Sequence, residues 1–174
     1  KNNEYVYSYL LREMKIERCN QVWEIDITYV PMARGFMYLT AIIDVYSRYI
    51  VGWGLSNTLD AASCLEVLRN AINQHGKPEI INSDQGSQFT CRQYVEYLKT
   101  KGIKISMDGK GRALDNIYIE RFWRTIKYQH IHLFPAVDGL SLYMGIKKWL
   151  ERYHYRSHQG IDRNKPSTLY LNAA

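Results

Sequence analysis

Three strand-like stretches follow one another without interruption between residues 22 and 55, joined by turns too short to hold a helix, and this limits the possible folds more than any other feature. In the first stretch Trp23, Ile25, Ile27 and Tyr29 alternate with Glu24, Asp26, Thr28 and Val30, which is the two-residue period of a half-buried strand. Residues 31–35 supply a turn, 36–43 a second strand, 44–48 another turn and 49–55 a third strand rich in β-branched and aromatic side chains. Strands joined this tightly pair antiparallel. Asp26 then points away from the face that carries Trp23 and Ile25.

After the meander, helix and strand alternate. Thr58 or Asp60 can cap a helix over 61–75, where Leu65, Leu68, Ala71 and Ile72 recur at helical spacing before Gly76 and Pro78 end it. Ile80 and Ile81 make a short buried strand that ends at Asp84. A helix over 91–101, a strand over 103–107, a glycine-punctuated loop through Asp108, Gly109, Lys110 and Gly111, a helix from Asn116 and a last helix over 140–155 complete the pattern. The order predicts an α/β fold: a mixed five-stranded sheet, three antiparallel strands and then parallel ones, flanked by helices. Residues 1–21 read as a lead-in segment with one short helix, and residues 22–174 as one domain.

Composition narrows the class. With 46% hydrophobic and 23% charged residues among 174, the chain has enough apolar material for a core, and its apolar runs fall far short of the ~20 residues of a membrane helix. Cys19, Cys64 and Cys91 stand far apart with no CxxC, so neither a disulfide framework nor a thiolate zinc site is indicated, and a reducing, cytoplasmic setting is expected. Lys1 opens the chain without a signal peptide, which leads us to expect a further part upstream. The net charge of +6 is unevenly spread: residues 21–98 hold 5 Lys/Arg against 8 Asp/Glu, whereas residues 99–130 hold 8 against 3 and residues 147–174 hold 6 against 2. A basic second half beside an acidic first half suits a polyanion held against carboxylate-bound cations.

Three carboxylates stand out by their position on the elements. Asp26 lies inside a strand, where Asp is disfavoured without a partner. Asp84 sits at the carboxyl end of a buried strand, where open α/β sheets place reacting groups. Glu120 adjoins the apolar stripe Ile119, Phe122, Trp123 and Ile126, on a face shared with Arg124 and Lys127. Asp44, Asp60, Asp108 and Asp115 have simpler explanations as turn formers and helix caps. Converging carboxylates repel one another unless cations intervene, and hard oxygen ligands favour Mg²⁺ or Mn²⁺.

The run from Trp23 to Tyr29 (WEIDITY), the run from Ser83 to Phe89 (SDQGSQF) and the stretch from Asp115 through Glu120, Arg121, Phe122 and Trp123 to Lys127 together resemble the catalytic core of bacterial insertion-sequence transposases related to retroviral integrases. Thirty-five residues separate Asp84 from Glu120, as in that family's DDE pattern, and a basic residue follows seven positions after the Glu. The resemblance implies a ribonuclease-H-like fold with Asp26, Asp84 and Glu120 as a metal-binding catalytic triad. It further implies two Mg²⁺ or Mn²⁺ ions when DNA is bound, strand cleavage and strand transfer at transposon ends, and a homo-oligomer acting on DNA in the bacterial cytoplasm. Lys127, Arg124, Lys110 and Arg112 are candidates for phosphate contacts. Tyr153, Arg156, His158, Ile161 and Pro166 resemble the family's carboxyl-terminal signature, which adds Arg156 and His158 to the DNA-binding candidates. His154 departs from the asparagine often found there. Twenty residues ahead of the core cannot hold the family's usual helix-turn-helix, so end recognition is expected upstream or on another polypeptide. Two other functions fit the same residues: a structure-selective nuclease, and a non-catalytic DNA-binding module.

Overall fold

The computed structural model describes residues 5–109 and 115–172. Strands β1 (Val22–Pro31), β2 (Phe36–Asp44) and β3 (Ile50–Ser56) form the expected antiparallel meander, with Asp26 opposite Ala41 and Thr40 opposite Gly54. Helix α1 (Ala61–His75) starts where the Asp60 carboxylate accepts from the Ser63 amide. It leads to β4 (Ile80–Ser83), α2 (Arg92–Thr100) and β5 (Lys104–Met107). β4 pairs parallel with β1 and β5 parallel with β4, giving the sheet order β3-β2-β1-β4-β5. Helix α3 (Ile117–Ile126) runs into a π-helical turn, Lys127–Ile131, and α4 (Gly139–Tyr155) and α5 (Pro166–Leu171) finish the chain.

Helices cover both faces of the sheet. On one face Trp23, Ile25, Ile42, Leu65, Leu68, Tyr94, Leu98 and Met107 make a core beneath α1 and α2. On the other, Val30, Leu39, Ala41 and Ile43 meet Ile119, Phe122, Trp123 and Ile126 of α3 and Ile146, Trp149 and Tyr153 of α4. The stripe read from the α3 sequence is therefore the buried face of that helix.

The first part of β1, Val22–Ile25, is buried on both faces, while Asp26 to Tyr29 stay partly exposed. Its second face lies under α3, and Glu24, which alternation alone assigns to solvent, is 1% exposed. The described part of the lead-in, residues 5–21, forms no α-helix, contrary to expectation. It runs along the domain, burying Leu11 with Val22, Val45 and Ile80 and donating the Leu10 amide to Ser106 Oγ. Without a helical period, this segment lays its apolar side chains on the domain, Leu11 buried and Tyr5, Tyr7, Tyr9, Met14 and Ile16 partly so, in place of coiling on itself.

Candidate active site

Strand pairing accounts for the meeting of the two aspartates. Glu24 of β1 lies in register with Asn82 of β4, and two residues further along the parallel strands come Asp26 and Asp84. Side chains two apart share a face, and neighbouring strands lie ~4.8 Å apart, so both carboxylates emerge together at the carboxyl end of β4. Glu120 joins them through the start of α3: the Ile119 amide, one residue before it, donates to Glu24 Oε2 at 2.8 Å. Each carboxylate-bearing element is thus tied down next to its carboxylate.

Two of the acids are oriented by specific donors. Trp123 Nε1 donates to Asp26 Oδ2 at 2.8 Å, fixing the Asp26 carboxylate from α3. The Gly86 amide donates to Asp84 Oδ1 at 2.8 Å, and a Cβ at residue 86 would stand 2.8 Å from the same oxygen, so any side chain there would displace the Asp84 carboxylate.

The electrostatics of this corner are strongly acidic. Burial pushes Asp26 up to about 6; the Trp123 donor opposes this, and the charges of Asp84 and Glu120 add to it. Glu24 is driven by burial to about 8. Asp108, just past β5, is raised to about 7 by burial, with Asp115, Asp84 and Asp26 adding to the effect and a 2.8 Å bond from Asn82 Nδ2 opposing it. Among the described residues the ion pairs are Lys15–Glu17, Arg18–Glu79 and Lys99–Glu96, all on the surface, so none involves these acids; the Arg48 charge opposes the rise of Glu24 without pairing with it. Also among the described residues, no three His, Cys, Asp or Glu side chains already close into a metal-holding cluster. The donor set itself, oxygen ligands bearing uncompensated negative charge, fits a hard divalent cation.

Asp108 had a loop explanation in the sequence, yet it belongs to this corner. Only the β1-β4-β5 order, which spacing does not encode, brings the end of β5 beside Asp84. Asp115 does not cap α3 as expected: Asn116 holds the capping position, and Asp115 Oδ2 accepts instead from the Gly109 amide. Asn82 Oδ1 is buried without a hydrogen-bond partner, directly behind the acids.

The basic candidates divide. Lys127 reaches back to β1, donating to Thr28 Oγ1 at 2.6 Å; burial lowers its pKa, and the Asp26 charge opposes that. Arg124 and Arg156 are exposed, Arg156 lying 3.4 Å from Gln129 Oε1. His158 is half-buried, its Nε2 3.1 Å from the Tyr153 carbonyl and its ring edge-on to Tyr153. Lys110 and Arg112 lie outside the described residues. Tyr153 of the signature and its neighbour His154 brace the meander: Tyr153 Oη donates to the Arg48 carbonyl, and His154 Nε2 accepts from the Ile50 amide at 3.1 Å while stacking on Tyr49. Burial holds His154 down at about 4, which keeps that nitrogen an acceptor.

Comparison with known proteins agrees with this architecture. The integrase core domain family matches residues 17–113, and a second integrase core domain description matches residues 101–166. A transposase for insertion sequence element IS904 from Lactococcus lactis is 35% identical over 84% of the chain, and transposase InsF for insertion sequence IS3A from Escherichia coli is 34% identical over 65%. The chain spans 60% of the length of the first and 40% of the second. Among solved structures, the HTLV-2 integrase catalytic core domain in complex with magnesium superposes with a TM-score of 0.71 at 20% identity, covering 88% of this chain and 97% of that one. The simian T-cell lymphotropic virus intasome gives 0.76 at 16% identity, covering 97% of this chain and 61% of that one. The fold is ribonuclease-H-like, and the chain belongs to the integrase core domain family, with insertion-sequence transposases among its relatives.

Proposed function

We propose that this chain is the catalytic core of a DNA transposase that cuts and joins DNA strands at transposon ends, with Asp26, Asp84 and Glu120 as the acids that hold two Mg²⁺ or Mn²⁺ ions. The observation that carries this reading is the meeting of the three acids: parallel pairing sets Asp26 beside Asp84, and α3, tied to β1 by the Ile119–Glu24 and Trp123–Asp26 bonds, brings Glu120 to them. Such a corner is tolerable at neutral pH when cations occupy it. Bound divalent ions supply a nucleophile active at neutral pH and neutralise charge growing on the phosphate.

The chain's own residues do the positioning. Trp123 keeps one Asp26 oxygen turned toward α3, and Gly86 does the same for one Asp84 oxygen, which leaves the other oxygen of each as a ligand. Lys127, held beside Asp26, and Arg124, one turn from Glu120, take the phosphates next to the scissile one. In cutting, a water oxygen bonds to phosphorus as the 3′-oxygen leaves; in joining, that 3′-hydroxyl attacks a target phosphodiester and expels another 3′-oxygen. One P–O bond forms for each that breaks, and no covalent enzyme intermediate is needed. The active assembly is a homo-oligomer on DNA, with end recognition supplied from upstream or by another polypeptide.

Asp84→Asn tests the reading. It removes one ligand charge at an exposed position while keeping an acceptor for Gly86. Mn²⁺-dependent cutting of end-containing DNA is expected to disappear while salt-sensitive DNA binding persists; undiminished cutting would contradict the assignment. Products joined to a second DNA distinguish a transposase from a nuclease on the same fold, and metal-independent binding without any cutting would mark a non-catalytic module.

A further inference from the structure

Past Lys127 the chain makes a feature that the reading above does not use. The π turn and the second half of α4 enclose an open groove of about 770 Å³. Its walls carry side chains that a folded domain usually hides: Tyr128 is 70% exposed, Phe134 65% and Tyr155 64%. Arg152 and Arg156 stand among these rings, and the lining contains no carboxylate. A hollow of different character beside Trp53 and Tyr143 carries Glu66 and no lysine or arginine.

The groove is built into the fold. His130 sits over Gly145 so closely that a Cβ there would lie 2.8 Å from His130 Nε2, which seats the π turn directly on α4. The π turn also sets which way the rings face. Ile126 and Ile131, five residues apart, both point into the core, and Tyr128 is left outward. Lys127, the first residue of the turn, is the one that touches β1 beside Asp26. The groove therefore opens where the acidic corner ends: at ~1.5 Å rise per residue, Tyr128 stands roughly 12 Å along the helix from Glu120, about two nucleotides of a single strand.

Exposed rings beside arginines, with no opposing negative charge, are the recognition chemistry of unpaired nucleic acid: bases stack on the rings and phosphates meet the guanidinium groups. We infer that this groove holds unpaired nucleotides of a DNA strand next to the acidic corner, with Tyr128 and Tyr155 as stacking platforms and Arg152 and Arg156 as phosphate contacts. The inference deepens the proposed function and rests on it for the identity of the DNA.

The test uses the whole chain in the presence of EDTA, which prevents cutting, and compares a fluorescein-labelled oligothymidylate with a blunt duplex by anisotropy. Tyr128→Ala and Tyr155→Ala, at exposed sites with thermal melts as a control for folding, are each expected to weaken binding of the single strand about 5- to 100-fold, the worth of one stacked base. Duplex binding should stay within about twofold, because phosphate contacts are sequence- and ring-independent. A 2-aminopurine in the unpaired tail of a tailed duplex should be quenched by the native chain and not by the tyrosine variants. Equal losses for single strand and duplex, or no loss for either, would overturn the groove assignment. So would a change of oligomeric state in the tyrosine variants with unchanged DNA binding, since the groove would then be a self-interface. The two readings fail separately: cutting that survives Asp84→Asn removes the catalytic assignment and leaves these binding results standing, and the reverse also holds.

Discussion

The acidic corner and the groove beyond it lie on the same helical segment and are built in opposite ways. In the corner, Glu24, Asp26 and Asp108 are drawn out of water and raised in pKa, with Asp84 and Glu120 close enough to raise Asp26 further. In the groove, Arg152 and Arg156 stay in water among exposed rings. Buried like charges store repulsion that a small cation relieves, whereas solvated cations beside flat apolar rings lose little by waiting and gain when a polyanion arrives. Chemistry is expected where the fold accepts destabilisation, and strand handling where it does not.

The contrast breaks most sharply at the triad. Asp26→Asn or Glu120→Gln is expected to lower metal-dependent cutting by about a thousandfold or more, since each removes a ligand from ions that lower the barrier by several kcal/mol. Gel assays in Mn²⁺ measure this, and a loss below about tenfold would mean that the corner is not the reacting site. Asp26→Asn should at the same time stabilise the metal-free chain near pH 7, because the folded state then no longer carries a carboxylate that it holds less easily than the unfolded chain does.

A second effect is smaller and concerns pH. Glu24 and Asp26 have folded pKa values above their unfolded ones, so the folded state binds more protons, and stability falls as pH rises through the window between the two values. For Glu24 that window runs from its ordinary 4.5 to about 8, and for Asp26 from 3.8 to about 6. Above pH 6.5, where the depressed His154 adds no further stability, urea denaturation of the metal-free chain should therefore show a loss on the order of 1–2 kcal/mol by pH 8. Glu24→Gln, which keeps an acceptor for the Ile119 amide, should flatten most of that slope. A native stability that rises over the same interval would show that the corner is already compensated.

The smallest effect belongs to the boundary between the two regions. Lys127→Ala removes one phosphate contact and is expected to weaken duplex binding several-fold and to lower the slope of log affinity against log salt by about 1. An unchanged slope would confine Lys127 to its bond with Thr28.

What the sequence made legible follows from local periodicity. The meander, the buried stripe of α3 and the outward turn of Asp26 from the Trp23/Ile25 face each need only the spacing of neighbours, and each is present in the structure. The burial of Glu24 is not legible, because alternation cannot tell a solvated sheet face from one covered by another helix. Asp108 escaped because its proximity to Asp84 arises from parallel pairing across α2. The π turn escaped because Ile126 and Ile131, five apart, break the 3.6-residue rule on which the stripe was traced. In each case the missing information was long-range.

The central claim is that Asp26, Asp84 and Glu120 form one cation site. Anomalous diffraction at the manganese edge from crystals soaked in Mn²⁺ tests it most directly. The account predicts a manganese peak bonded to oxygens of Asp26 and Asp84, with Glu120 completing the site or holding a second ion, and no such peak in Asp84→Asn crystals. Manganese bound elsewhere, with these three carboxylates left empty, would contradict it.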